Sequence, residues 1–212
     1  METTFTASYS NATATCIVTV VNSIFSDDAT TDNRSTLFDS SVALRNSSTA
    51  TVLYDSTTPC YQMKHTKSSS ESFIEYLPLQ GIYNQSFKVT TVSKVTTSSV
   101  ASIALYYYLD TNNWGGVKDE STNMWYAKKV NGTYSEQSYT KTNQKTSTQT
   151  NIFTFDATNN TLTVERYVNG TKSAEITWTI AHTLTSSVKW GTALAWDNNV
   201  IRELYSITAE YI

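Results

Sequence analysis

The stretch FDATNNTLTVERYVNGTKSAEITWTI, residues 155–180, decides how this chain folds. Runs rich in Thr, Val, Tyr, Ile and Trp flank the dipeptide Asn169-Gly170. A type I′ turn needs positive φ at both central positions, which Asn-Gly supplies, so residues 161–168 and 171–180 read as a β-hairpin. The Asp-Ala-Thr-Asn-Asn segment before them marks another turn, making the whole a three-stranded antiparallel meander. On its central strand the two-residue alternation places Leu162, Val164 and Val168 on one side. Thr161, Thr163, Glu165 and Tyr167 take the other.

The same reading extends outward. Val130-Asn131-Gly132-Thr133 is a second Asn-Gly hairpin. Proline occurs only at Pro59 and Pro78, and no longer window keeps a helical period. Short Val/Ile/Thr/Tyr/Phe runs alternate instead with polar turns, as in a β-sandwich. Strands are expected near 14–21, 50–55, 60–64, 72–77, 86–94, 101–109, 123–130, 133–140, 150–155, 161–168, 171–180, 191–196 and 201–211. KTNQKTSTQT (141–150) reads as an exposed loop and DDATTDNRST (27–36) as a polar linker. The expected organisation is a strand pair or neck over 1–24, followed by one all-β antiparallel sandwich over 25–212.

The totals exclude several classes of function. Of the 212 residues 16% are charged, against about 25% in ordinary soluble domains. The net charge is −3 and the lysines and arginines are dispersed, so no basic stripe follows a phosphate backbone and nucleic acid is not an expected partner. The longest apolar run, CIVTVV at 16–21, is far short of the roughly 20 residues that cross a bilayer, so no membrane partner is expected either. METTFTASYS lacks the basic and apolar regions of a secretory signal. An extracellular role would then make the chain a fragment with an added Met, or a component that leaves by another route, such as within a virus particle. Cys16 and Cys60 allow one disulfide at most. Seven Asn-x-Ser/Thr sequons could mark glycosylation, but several are expected by chance in so Ser/Thr-rich a sequence, and Asn131 and Asn169 are already explained by their turns.

The meander followed by WGTALAWDNNVIRELYSITAEYI resembles the closing half of the concanavalin A-like jelly rolls, a group with laminin G-like domains and many sugar-binding modules. The correspondence runs through 161–180, 191–196, the Asp/Asn loop 197–199 and the last strand 201–212. ASIALYYYLDTNNWGGV (101–117) is similar to the apolar strand of those modules that runs into an Asp/Asn loop. FTASYSNATATCIVTV resembles the final strands of bacterial Ig-like repeats, which are strung along surface adhesins and phage tail proteins. The resemblance implies a lectin-like head on a neck, at a cell surface or on a virion. A tail-fibre head would be a trimer, although no heptad demands it.

Glycoside hydrolases in this group need two carboxylates facing one another across the scissile bond. The Glu-x-Asp-x-x-Glu spacing of laminarinase-like relatives does not occur here, and the clusters Glu71/Glu75 and Asp119/Glu120 do not replace it. His65 and His182 sit in no nucleophile context, and with Cys16 and Cys60 they are too dispersed for zinc. No cofactor is required. The resemblance does imply calcium, held by Asp and by Asn or backbone oxygens. Asp110, Asn112 and Asn113 in one loop and Asp197, Asn198 and Asn199 in another are candidate ligands, with Asp27 and Asp28 as alternatives. The opposing reading is that Asp and Asn in turns bond their own backbone.

The aromatics divide by parity. Leu105, Tyr107 and Leu109 share one face, which leaves Tyr106 and Tyr108 on the other. Trp114, read as standing in a Gly-rich loop after Asp110 and Asn113, suits stacking on a pyranose. Trp125 and Tyr126 straddle one strand, so one faces outward, and Trp196 beside Asn198 is the counterpart at the second loop. Trp178 and Trp190 read as core. The expected function is a non-catalytic head that binds a cell-surface glycan or receptor through Tyr106, Tyr108, Asp110, Asn113, Trp114, Trp125, Trp196 and Asn198. The alternatives are a stalk spacer and, less favoured, a hydrolase. A binding head predicts an exposed aromatic groove, whereas a spacer predicts those rings covered.

Overall fold

The computed structural model of the chain describes residues 2–9, 12–19, 22–45, 50–65, 71–95, 105–120, 123–140, 147–195 and 201–212. Strands β1 (Glu2–Tyr9) and β2 (Ala12–Thr19) pair as a two-stranded sheet of their own. There follow β3 (Ser23–Asp27), one helical turn α1 (Arg34–Leu37), β4 (Phe38–Arg45), β5 (Ala50–Asp55), β6 (Cys60–His65) and β7 (Glu71–Tyr76). Next come β8 (Phe87–Val95), β9 (Tyr106–Asp110), β10 (Asn113–Glu120), β11 (Asn123–Val130) and β12 (Thr133–Thr140). The last are β13 (Gln149–Asp156), β14 (Thr161–Val168), β15 (Thr171–Thr179), β16 (Lys189–Ala195) and β17 (Ile201–Tyr211).

Two antiparallel sheets make the sandwich. One has seven strands in the order β12-β11-β10-β9-β16-β7-β4; the other has eight, β15-β14-β13-β8-β17-β6-β5 with β3 beside β17. The chain crosses between sheets repeatedly, and β17 lies centrally, paired to β8, β6 and β3. The expected meander is β13-β14-β15, with Asn169 at φ 50° and Asn131 at φ 48° in their turns. β3 straddles the expected boundary at 24/25, and its partner β17 ties it to the sandwich.

Strand alternation fills the space between the sheets. Trp190 stands at the centre, edge-on to Phe87 at 5.0 Å and 4.9 Å from Phe155, and its Nε1 donates to the Ile82 carbonyl at 2.6 Å. Burying one such side chain stabilises by roughly 1.5–3 kcal/mol. The core also holds buried cations that are hydrogen-bonded, as burial demands. Arg166 Nε donates to Asn151 Oδ1 at 2.8 Å, and Arg202 Nη1 donates to Thr192 Oγ1 at 3.2 Å and the Ala193 carbonyl at 3.1 Å.

Two sequence expectations are corrected. Residues 27–36 are not a loose linker: Asp27 is buried, and its carboxylate accepts from the Ala29 N–H (2.8 Å), Tyr61 hydroxyl (2.8 Å) and Asn33 amide (2.7 Å). That carboxylate pins the segment to β6. Trp114 stands not in a loop but on β10, whose Asn-Trp-Gly-Gly start hides a strand behind low β propensity. Gly116 is required there, because a Cβ would meet the Leu105 carbonyl at 2.4 Å and the Tyr106 ring at 2.5 Å. Cys60 is a free, buried thiol, and burial raises its pKa to about 11.

Candidate functional site

Cross-strand partners share a face, so the registers map the surface of the seven-stranded sheet that is turned away from the other sheet. A middle row runs Ala127, Gly116, Tyr106, Gly191, Glu75, Asp39. On one side of it lie Tyr134, Lys129, Trp114, Tyr108 and Lys189, and on the other Trp125, Ala193 and Phe73. Tyr106, Tyr108, Trp114 and Trp125 therefore do stand together on one outward face. Leu105, Tyr107 and Leu109 point the opposite way, into the core.

Their exposure differs from the expectation of an open groove. Tyr106 is 0% and Trp114 1% exposed, and with Phe73, Leu44, Ala127 and Ala193 they form a second apolar cluster separate from the inter-sheet core. Tyr106 and Trp114 pack at 5.8 Å, so they are a floor rather than ligand-facing rings. The half-buried rings rest on that floor: Tyr108 stacks on Phe73 at 5.7 Å and Tyr134 lies 5.9 Å from Trp114. Such support holds a ring in one rotamer before any ligand arrives, which lowers the ordering cost of binding. Trp125 is half-buried on the same face. Among the described residues the indole N–H groups of Trp114 and Trp125 have no hydrogen-bond partner.

The polar groups expected beside these rings are occupied. Asn113 Nδ2 donates to both Asp110 oxygens at 3.1 Å and the Asn112 N–H donates at 2.7 Å, which holds the Asp110 carboxyl below its ordinary pKa. In turn Asn113 Oδ1 accepts from the Asn131 N–H at 3.0 Å, the Asn112 carbonyl from the Gly132 N–H at 3.0 Å, and Lys129 Nζ donates to the Thr111 carbonyl at 2.7 Å. Asp110, Asn112 and Asn113 thus lace the β9–β10 turn to the β11–β12 turn. Among the described residues no group of three or more His, Cys, Asp or Glu is placed to hold a metal. Trp196, Asp197, Asn198 and Asn199 lie outside the described residues.

Carboxylates on this face are also engaged. Glu75, with 1% of its side chain exposed, accepts from Lys189 Nζ at 2.6 Å. Asp39, its cross-strand partner, accepts from the Ser41 N–H and hydroxyl, each at 2.9 Å.

A second concavity opens at the side of the sandwich, between edge strands β12 and β15. It measures ≈ 460 Å³ and is floored by Tyr126, Tyr139 and Trp178. The register of β11 and β12 around the Asn131-Gly132 turn puts Tyr126 and Tyr139 on one side. Nothing in the sequence placed β15 alongside them. A shallower hollow of ≈ 520 Å³ lies at the other side, where the guanidinium of Arg34 is already committed to Asp32 and the Val52 carbonyl.

No protein-family model matches the sequence, and no curated protein matches it. Solved structures do match. Peanut lectin, solved with a nine-residue peptide, aligns over 89% of this chain and 96% of its own at 11% identity and TM-score 0.62. Lectin I from Ulex europaeus, in complex with the methyl glycoside of α-L-fucose, aligns over 88% and 96% at 14% identity and TM-score 0.59. Carbohydrate-binding module CBM66 from Bacillus subtilis aligns over 82% and 96% at 11% identity and TM-score 0.51. These likenesses and the two-sheet topology establish that the chain is folded as a concanavalin A-like jelly roll.

Proposed function

We propose that the chain is a non-catalytic carbohydrate-binding module that takes a glycan on the outward face of its seven-stranded sheet. One observation carries the reading: a sandwich needs a single aromatic core, and this one has a second aromatic layer outside it. Tyr108, Trp125 and Tyr134 offer half-buried ring faces to the C–H surface of a pyranose. The glycan-bound state of the Ulex lectin is a property of that protein and supports this reading by fold analogy alone. The proposed setting is extracellular, as the head of a cell-surface adhesin or a viral tail fibre.

Full burial of Tyr106 and Trp114 by their own chain favours the alternative in which these rings are packing and the chain is a stalk spacer. A glycan-array and whole-cell binding screen of the chain separates the two, alongside Tyr108→Ala and Trp125→Ala and a sedimentation run. The proposal expects a monomer-competent protein whose binding falls at least about tenfold in each variant. Absence of binding together with an oligomer dispersed by Trp125→Ala would establish the spacer instead. Repeating the screen with calcium and with chelator tests whether Asp110 and Asn112, or Asp197, bring a metal to the ligand.

A further inference from the structure

The tetrapeptide Val-Asn-Gly-Thr occurs at 130–133 and again at 168–171, and the two copies fold alike. Each is a two-residue turn with both central residues at positive φ, 48° and 84° at Asn131 and Gly132, 50° and 77° at Asn169 and Gly170. Each leads into a strand, β12 or β15, at the edge of its sheet, and both Asn-Gly pairs are exposed. Their surroundings differ. The Asn131 N–H donates to Asn113 Oδ1 and the Gly132 N–H to the Asn112 carbonyl, each at 3.0 Å. Among the described residues nothing bonds the Gly170 N–H, and a Cβ at Gly170 would meet no atom within 4 Å. We infer that Asn169 is a site of spontaneous deamidation and that the Asp110 turn protects Asn131 from the same reaction.

Asparagine followed by glycine carries its own nucleophile, and glycine leaves the approach clear because it has no Cβ. The Gly170 amide nitrogen attacks Asn169 Cγ. The N–Cγ bond forms, the Cγ–Nδ2 bond breaks, and Nδ2 leaves as ammonia with the proton that the Gly170 amide gives up. Water then opens the cyclic imide, at Cγ to give aspartate or at the main-chain carbonyl carbon of residue 169 to give isoaspartate. A closed type I′ turn does not present this nitrogen to Cγ, so the reaction waits on local opening. At 168–171 opening loosens only the end of an edge hairpin. At 130–133 it must also break two hydrogen bonds to the β9–β10 turn, one of them made by the attacking nitrogen itself. Either product adds one negative charge to a chain of net charge −3. Isoaspartate also lengthens the backbone of a two-residue turn, which loosens the register of β15 on β14.

The test holds the intact chain in mildly alkaline buffer for several weeks, digests it, and quantifies the peptides bearing residues 131 and 169 by mass spectrometry as amide, aspartate and isoaspartate. The chain unfolded in guanidinium supplies the baseline, where the two sites, whose immediate neighbours are identical, convert at equal rates. In the folded chain Asn169 should convert at least about tenfold faster than Asn131, a factor within what two neutral hydrogen bonds supply. Asn113→Ala frees the Asn131 N–H and should raise the Asn131 rate about fivefold while leaving that of Asn169 unchanged. Equal rates at the two sites of the folded chain, an Asn131 rate untouched by Asn113→Ala, or an Asn169 that stays an amide while the unfolded chain converts overturns the inference.

Discussion

Replacing Tyr107 by Phe removes one oxygen from the junction between the core and the side cleft. That oxygen sits on a residue with 0% exposure and bonds both Tyr126 (3.2 Å) and His182 (2.9 Å). Two neutral hydrogen bonds contribute about 1 kcal/mol each, and the buried Tyr126 hydroxyl, which keeps the Ala181 backbone as a partner, adds at most about 1 kcal/mol for the partner it loses. The half-buried His182 ring regains water, so little is added there. The sum is a loss of about 2–3 kcal/mol, or roughly 5–10 °C in Tm for a chain of this size. Urea unfolding at pH 7.5, followed by far-ultraviolet dichroism, measures it. The reasoning also fixes a pH dependence. Burial lowers the His182 pKa below its ordinary 6.5, so the unfolded chain binds the proton more readily. This stabilisation is whole above pH about 6.5 and is lost as pH falls through that value toward the lower folded one. His182→Gln should flatten that slope. A Tyr107→Phe protein within about 0.5 kcal/mol of wild type, with an unchanged pH slope in His182→Gln, would refute the account.

Gly191→Ala would put a Cβ 2.0 Å from the Ile74 carbonyl, against backbone that cannot yield, so β16 should separate from β7 with a loss exceeding about 3 kcal/mol, read as a fall in Tm and in sheet dichroism. Lys189→Met leaves the Glu75 carboxylate buried and uncompensated and should cost about 3–5 kcal/mol, most of it restored by adding Glu75→Gln; equal stability of the single and double variants would show that the ion pair is not the cause. With its pKa raised to about 11 by burial, the Cys60 thiol should ignore a disulfide reagent at pH 8 in a Cys16→Ser protein and react only as fast as the chain unfolds. Trp114→Ala should lower stability by about 3–5 kcal/mol before it affects any ligand, whereas half-buried Trp125→Ala should lose binding with little change in Tm.

Much of the fold was legible in local chemistry. The Asn-Gly turns determine the hairpins 123–140 and 161–179, because the positive φ they require leaves one register. Parity divides Tyr106 and Tyr108 from Tyr107, since a strand offers its side chains only two directions. β10 was hidden, because the glycines that depress its propensity are there to admit the Tyr107 and Tyr106 rings from neighbouring strands, a reason that exists only after assembly. The site was legible as a set of aromatics on one face but not in its layering. Sequence alternation says which way Tyr106 points, but Trp114 read as a loop residue; the packing of this pair against Phe73 and Tyr134 comes from β7 and β12, far along the chain. Likewise Trp178 reads as core from its own strand. Only the meeting of β12 and β15, the edges of two different sheets, turns it into the floor of a cleft, because the spacing between sheets is set by the whole core and not by any local run.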